Sequence, residues 1–265
     1  MNKLYIQIVL FILTISLYVN NKTLATELAS GENATSESAY YYLTPEELYE
    51  KNKHLLCTDP EETINAEKLM NEVVTHLKYH ATSNDDYKLC RKNPGISMFV
   101  YKKKHQDHTD VQKIKFKFYD SDKYNGIINM LWNPNHLNPF NTGFVKIVRV
   151  YNPNLVMIQQ RYKKKFGRRQ KYFYALATKV EVSEDTTIIA YTSANINDHN
   201  PSNKKHQNTI IENSSLFITD IDSEEDIRKG KLKKTFVNLI GYLIEKKKRF
   251  VDVTYIESID GHASF

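Results

Sequence analysis

The chain has 265 residues, 41 % of them apolar and 26 % charged, with 37 Lys and Arg against 31 Asp and Glu for a net charge of +6. That is enough chain for one large domain or two small ones, with a substantial core. Only two Cys are present, which excludes a disulfide framework.

The first 25 residues read as a secretory signal: Lys3 gives a positive start, Leu4 to Val19 is largely apolar, and small residues follow at Thr23 and Ala25. The apolar run is shorter than the ~20 residues of a spanning helix, which favours a signal over a membrane anchor. Residues 26–55 are mostly small and polar and read as a disordered linker. The folded domain then covers residues 56–265. Cys57 and Cys90 form either one disulfide or two buried thiols. Asn-x-Ser/Thr patterns at Asn21, Asn33 and Asn213 are weak.

The strongest element follows Cys57. Ala66, Leu69, Met70, Val73, Val74 and Leu77 recur at helical spacing, and Asp59, Pro60 and Glu62 stand where a cap, a first-turn proline and a capping-box acid belong. This helix is expected to lay its apolar stripe on a sheet. Period-two stretches come next: "SMFVYKK", "KIKFKFYD", "FVKIVRVY", "LVMIQQRY", "KYFYALATKVEV", "TTIIAYTSANI", "TFVNLIGYLI" and "FVDVTYIES". They predict antiparallel strands with one wet face. A short helix, "DKYNGIINMLW", interrupts them after the second strand. The order predicts an α+β fold, a curved antiparallel sheet wrapped around helices.

No GxSxG, HExxH or paired-carboxylate motif is present, and no tight His/Cys cluster argues for zinc. The reading is therefore a non-enzyme without cofactor or metal. His199 beside Asp198 and His262 near Asp260 read as turn residues rather than dyads. "RYKKKFGRRQK", residues 161–171, carries seven basic residues of eleven and joins two strands. It reads either as a solvated hairpin tip or as a membrane-docking loop through Lys163, Lys164, Lys165, Arg168 and Arg169. Nucleic-acid binding is the weakest reading, since no recognition module is visible. Lys246 to Arg249 forms a second basic turn. Tyr172 and Tyr174 share one strand face, and Arg149 shares a parity with Val145, Ile147 and Tyr151. If that face is concave, Arg149 and Arg161 are poised for a phosphate and the Tyr rings for a quaternary amine; otherwise it faces solvent.

The order of elements resembles a START domain, the helix-grip lipid-transfer fold. "MNEVVTHLKYHATSNDDYKL", "NPNLVMIQQRYKK", "YFYALATKVEVSEDTTIIAYTSANINDHNP", "IENSSLFITDID" and the stretch from "RKGKLKKTFVNLIGYLIEKK" to "VDVTYIESIDGH" are similar to the fam-a proteins of malaria parasites, over about Leu56 to the end. The resemblance implies a secreted or exported, non-catalytic carrier of phospholipid, phosphatidylcholine foremost. It implies a peripheral encounter with membranes, a monomer, and a destination in the parasitophorous vacuole or the host erythrocyte. "KTLATE" resembles a relaxed export motif.

START domains often carry Arg-x-x-Trp-Asp. Here Asn129-Met130-Leu131-Trp132-Asn133 keeps Trp132 and replaces both charges by amides. The family's Arg-Asp-aromatic reads Gln170-Lys171-Tyr172, which makes Tyr172 the leading headgroup candidate. Gly241-Tyr242-Leu243-Ile244 matches a Gly-Tyr-aliphatic strand. The resemblance implies lipid contacts at Tyr172, Trp132, Asn129 and Asn133, and strand parity adds Tyr174, Arg149 and Arg161. A C-terminal lid helix would follow Asp260-Gly261 in that family, and it is expected to be missing here, leaving a truncated member with an open, poorly sealed cavity. A degenerate scaffold that binds host-cell membranes or surfaces without transferring lipid is the alternative. A hydrolase or cyclase would need a buried acid-base pair.

Overall fold

The structure is a computed structural model and describes residues 43–106, 109–134, 143–202 and 207–260. The helices are α1 (Pro45–Lys51), α2 (Pro60–Thr82), α3 (Tyr124–Trp132) and the short α4 (Glu225–Arg228). The strands are β1 (Lys88–Asn93), β2 (Met98–His105), β3 (Thr109–Phe118), β4 (Gly143–Asn152), β5 (Leu155–Tyr162), β6 (Lys171–Ser183), β7 (Thr186–Thr192), β8 (Asn195–Asn197), β9 (Ile218–Asp220), β10 (Lys233–Lys234), β11 (Phe236–Lys246) and β12 (Val251–Asp260). One sheet runs β1-β2-β3-β12-β11-β7-β6-β5-β4, and β10 adds parallel to β6. All neighbours along that path are antiparallel. The α+β architecture expected from the strand pattern is the one observed.

α2 begins as its sequence dictates. The Asp59 carboxylate accepts from the Glu61 and Glu62 amides at 2.9 and 3.2 Å, and Pro60 occupies the first turn. Glu62 does not close a capping box, because its carboxylate accepts instead from Arg149 and the Tyr151 hydroxyl, each at 2.7 Å. Ala66, Leu69, Met70, Val73 and Leu77 are buried against Tyr174, Leu176, Ile188 and Leu243 of the sheet. Gly241 permits this contact. A Cβ there would stand 2.3 Å from the Ile189 carbonyl oxygen and 2.8 Å from Leu77 Cδ2.

The other face carries a second apolar cluster, in which Phe116, Phe173, Ala175, Tyr242 and Tyr255 meet Ile127, Leu131 and Trp132 of α3. The expected wet face is thus covered. Some polar residues of the period-two pattern are instead buried and bonded internally; Gln159, for example, donates to the Tyr174 hydroxyl at 2.5 Å.

α1 lies inside the stretch read as linker. Thr44 and Glu47 cap it reciprocally at 3.2 and 2.8 Å, a box that a helix this short hides in a polar run. Residues 1–42, with the signal, the rest of the linker and the export motif, fall outside the described residues. So do residues 261–265, on which the lid expectation rests. Cys57 and Cys90 are neither bridged nor buried: both are free thiols, and Cys90 is exposed on β1.

The C-terminal end of α2 rests on a buried cation. Lys113 is fully buried, donates to the Ser83 carbonyl at 2.5 Å and sits 3.6 Å from the Tyr87 ring centroid. A positive charge there complements the helix dipole. His80, one turn earlier, is also buried, with Nδ1 2.9 Å from the Tyr87 hydroxyl. Burial, then the nearby His105 and Lys103, lowers its pKa from 6.5 to about 4.

Two outcomes follow from this packing. Gly241→Ala is expected to lower stability by about 2 kcal/mol or more, the usual cost of overpacking, read as a lower urea midpoint. Between pH 6.5 and about 4 the unfolded chain takes up a proton that folded His80 refuses, so stability falls as pH drops through that window. The loss is about 3 kcal/mol in all. His80→Gln should flatten that limb in urea titrations run across pH.

Candidate functional site

α3, α1 and the concave sheet face leave space between them. Leu48 and Tyr49 of α1, Leu131 and Trp132 of α3, and strand residues such as Val145, Ile158 and Phe173 enclose an apolar cavity. The cavity is ≈ 70 Å³, inside a cleft whose total empty space, open mouth included, is ≈ 900 Å³. Seventy cubic ångströms holds roughly five waters, far less than a two-chain lipid occupies.

Polar residues at this wall are few: Asn133, Asn152, Gln160 and the tyrosines Tyr49, Tyr162, Tyr191, Tyr242 and Tyr255. Burial pushes the Tyr162, Tyr191 and Tyr255 hydroxyls up, so they stay neutral. The Tyr191 hydroxyl points to the Leu131 carbonyl at 3.5 Å, linking β7 to α3. No Lys, Arg or His is among the described lining residues. Among the described residues no group of three or more His, Cys, Asp or Glu could hold a metal, and no helix is long and apolar enough to cross a membrane.

Of the residues expected at the site, Trp132 and Asn133 come together at the cavity wall. Asn129 sits one turn back in α3, is half-buried, and does not line it. Tyr172 and Tyr174 lie on the opposite face, among the residues packed on α2. The Tyr172 hydroxyl donates to Asp198 Oδ2 at 2.8 Å, and Asp198 is paired with Lys234 at 3.0 Å.

Arg149 is displaced by a β-bulge. The register with β5 shifts between Ile147 and Arg149, so Val145 and Ile147 face the cavity whereas Arg149 turns to Glu62 on the far side. It also donates to the Asp220 carbonyl at 2.8 Å and to the Thr219 hydroxyl. Arg161 is held by Asp226 in a two-pronged contact at 2.6 and 2.9 Å, with Glu224 at 3.1 Å. The Asp226 carboxyl is held low by Arg161. Burial works to raise Glu224, but hydrogen bonds from Lys146 and Gln159 outweigh it and hold its pKa at about 2. Both guanidinium groups are therefore committed to protein acids, away from the cavity.

Asp198 and His199 form no dyad. Asp198 is buried with Tyr172 and Lys234, and His199 points to Asp220 at 3.5 Å. His262 lies outside the described residues.

The basic run is the β5–β6 turn. Lys163, Lys164, Lys165, Arg168 and Arg169 are exposed, and Phe166 among them is fully exposed, next to Gly167 at φ +69°. Phe144, 62 % exposed, starts β4 at the same end of the sheet, opposite Arg161. Tyr162, at the base of this turn, lines the cavity, so the basic turn and the cavity share one end of the molecule.

No family model matches the sequence, and no curated protein matches it. Solved structures do. Human StAR-related lipid transfer protein 5 aligns with a TM-score of 0.52 at 11 % identity, over 77 % of this chain and 86 % of that one. The fold is START-like. Human STARD10 aligns over 72 % of this chain and 68 % of its own, at 11 % identity and a TM-score of 0.48. Against that fold, Tyr162, Tyr191, Tyr242 and Tyr255 are the wall residues that strand parity alone did not single out. The signal for Tyr242 was present in its Gly-Tyr-aliphatic strand.

Tyr172→Phe removes a buried hydrogen bond to a carboxylate and should cost about 2 kcal/mol. Arg161→Met leaves Asp226 and Glu224 short of a cation and should cost a similar amount. Both losses are expected in denaturation midpoints, with ligand binding per folded molecule unchanged.

Proposed function

We propose that this protein is a lipid carrier that takes one lipid into the cavity between α3, α1 and the concave sheet face. The observation that carries this reading is the apolar cavity itself, in a START-like fold, with polar contacts confined to amides and phenols. Membership of the fam-a family, and phosphatidylcholine as ligand, rest on the matched stretches from Leu56 onward. In this reading Trp132, Asn133, Tyr162, Tyr242 and Tyr255 contact the lipid, and burial of each methylene favours binding by ~0.8 kcal/mol. The headgroup role first assigned to Tyr172 passes to the phenols of the opposite face. The protein works without catalysis, cofactor or nucleic acid, as a monomer. It is secreted, with the parasitophorous vacuole or the host erythrocyte as its destination.

Docking would use the β5–β6 turn. Lys163, Lys164, Lys165, Arg168 and Arg169 attract an anionic bilayer, and Phe166 and Phe144 present rings to its interface. That geometry would bring the Tyr162 end of the cavity to the membrane.

A second reading, a host-membrane or surface-binding scaffold without lipid transfer, draws on the cavity volume of only ≈ 70 Å³.

A vesicle-to-vesicle assay with fluorescent phosphatidylcholine separates the two. A carrier accelerates transfer and co-purifies with lipid; a scaffold binds red-cell membranes and does neither. Replacing Lys163, Lys164 and Lys165 by Gln should weaken binding to anionic vesicles about a hundredfold, at ~1 kcal/mol per cation, and leave binding to neutral vesicles unchanged.

A further inference from the structure

Glu257 lies on β12 between Tyr255 and Ile259, both of which line the cavity. Strand alternation puts its side chain on that same face. Its cross-strand partners are Gln112 of β3 and Ile240 of β11, and Ile240 is also a wall residue. The Tyr255 hydroxyl donates to Glu257 Oε2 at 2.7 Å. Glu257 keeps partial exposure, yet burial pushes its pKa up. Glu257 is not itself one of the cavity's lining residues; it adjoins three of them, Tyr255, Ile259 and Ile240, on their face of the sheet. Its charge also reaches Tyr162, across the sheet on β5.

An acid in such a place is costly unless something compensates it. What the protein supplies is a phenol, while the described wall of the cavity carries no Lys, Arg or His. The other carboxylates discussed above are spent on Arg149, Arg161, Lys146 and Lys234 on the far face.

We infer that the Glu257 carboxyl, with the Tyr255 and Tyr162 hydroxyls, is the polar end of the cavity. It selects ligands whose head bears a positive charge or a hydrogen-bond donor over ligands whose head is purely anionic. This rests on the lipid-carrier reading. A choline ammonium meets the carboxyl and the Tyr rings favourably. A lipid hydroxyl donates to the carboxyl. A phosphate monoester meets a like charge in a low-dielectric space with no wall cation to offset it.

The test offers vesicles with equal phosphatidylcholine, diacylglycerol and phosphatidic acid, and reads the lipid carried by the full chain by mass spectrometry. The wild type is expected to carry phosphatidylcholine or diacylglycerol over phosphatidic acid by about tenfold, the scale of one charge acting across several ångströms of protein. Phosphatidylcholine in excess identifies the ammonium as the recognised group, and diacylglycerol in excess identifies the hydroxyl. Glu257→Gln keeps the shape and the Tyr255 hydrogen bond, and should bring the ratio to within about twofold. If that variant does not fold, Tyr255→Phe, which removes the donor that favours the ionised carboxyl, should shift the ratio the same way by less. Equal carriage of phosphatidic acid by the wild type, or an unchanged ratio in the variants, overturns the inference alone. Uptake of no lipid at all overturns it together with the carrier reading.

Discussion

The close approach of α2 to the sheet at Gly241 is the constraint on which the rest depends. With no Cβ between the Ile189 carbonyl and Leu77, a 23-residue helix lies flat across β7, β11 and β12. That contact sets which face of β6, β7, β11 and β12 meets the helix. Leu176, Ile188 and Leu243 go to the helix, and Phe173, Ala177 and Tyr242 go to the other side. Among the described residues the far side receives a nine-residue helix and a seven-residue one, too little to fill it. The cavity is the remainder.

Charge is divided along the same line. The helix-covered face holds the ion pairs of Arg149 with Glu62, of Arg161 with Asp226 and Glu224, and of Lys234 with Asp198. Each of these cations is matched by an acid, and they tie α2 and the segment between β7 and β11 to the sheet. The cavity face is almost free of charge. In the proposed carrier a lipid would exchange water for methylenes and aromatic rings there, with phenols and three amides among the lining residues.

Much of this was legible in the sequence, and what was not has identifiable causes. α2 declared itself through Asp59, Pro60 and the Ala66–Leu77 stripe, and eight strands through period two. β1 was missed because Lys88, Arg91 and Lys92 give an edge strand no apolar alternation; such charges protect edges from pairing. Parity predicts that residues share a face, but not which face is concave, so Tyr172 and Tyr174 were grouped correctly and placed on the wrong side. For Arg149 parity itself failed. The bulge after Ile147 doubles one position, and Arg149 parts company with Val145 while staying with Tyr151. A bulge leaves no mark in a run such as "FVKIVRVY".

The position of β12 has a consequence for how the molecule comes to be folded. It is inserted between β3 and β11, so the sheet's first three strands join the remainder only through residues 251–260. Pairing Phe116 with Val253 closes a loop of well over a hundred residues before the contact gives anything back. Chains with such long-range pairings fold slowly. During synthesis β3 must wait, its edge uncovered, until β12 emerges. The topology withholds the complete sheet until residues 251–260 are available, more than a hundred residues after β3 has been made.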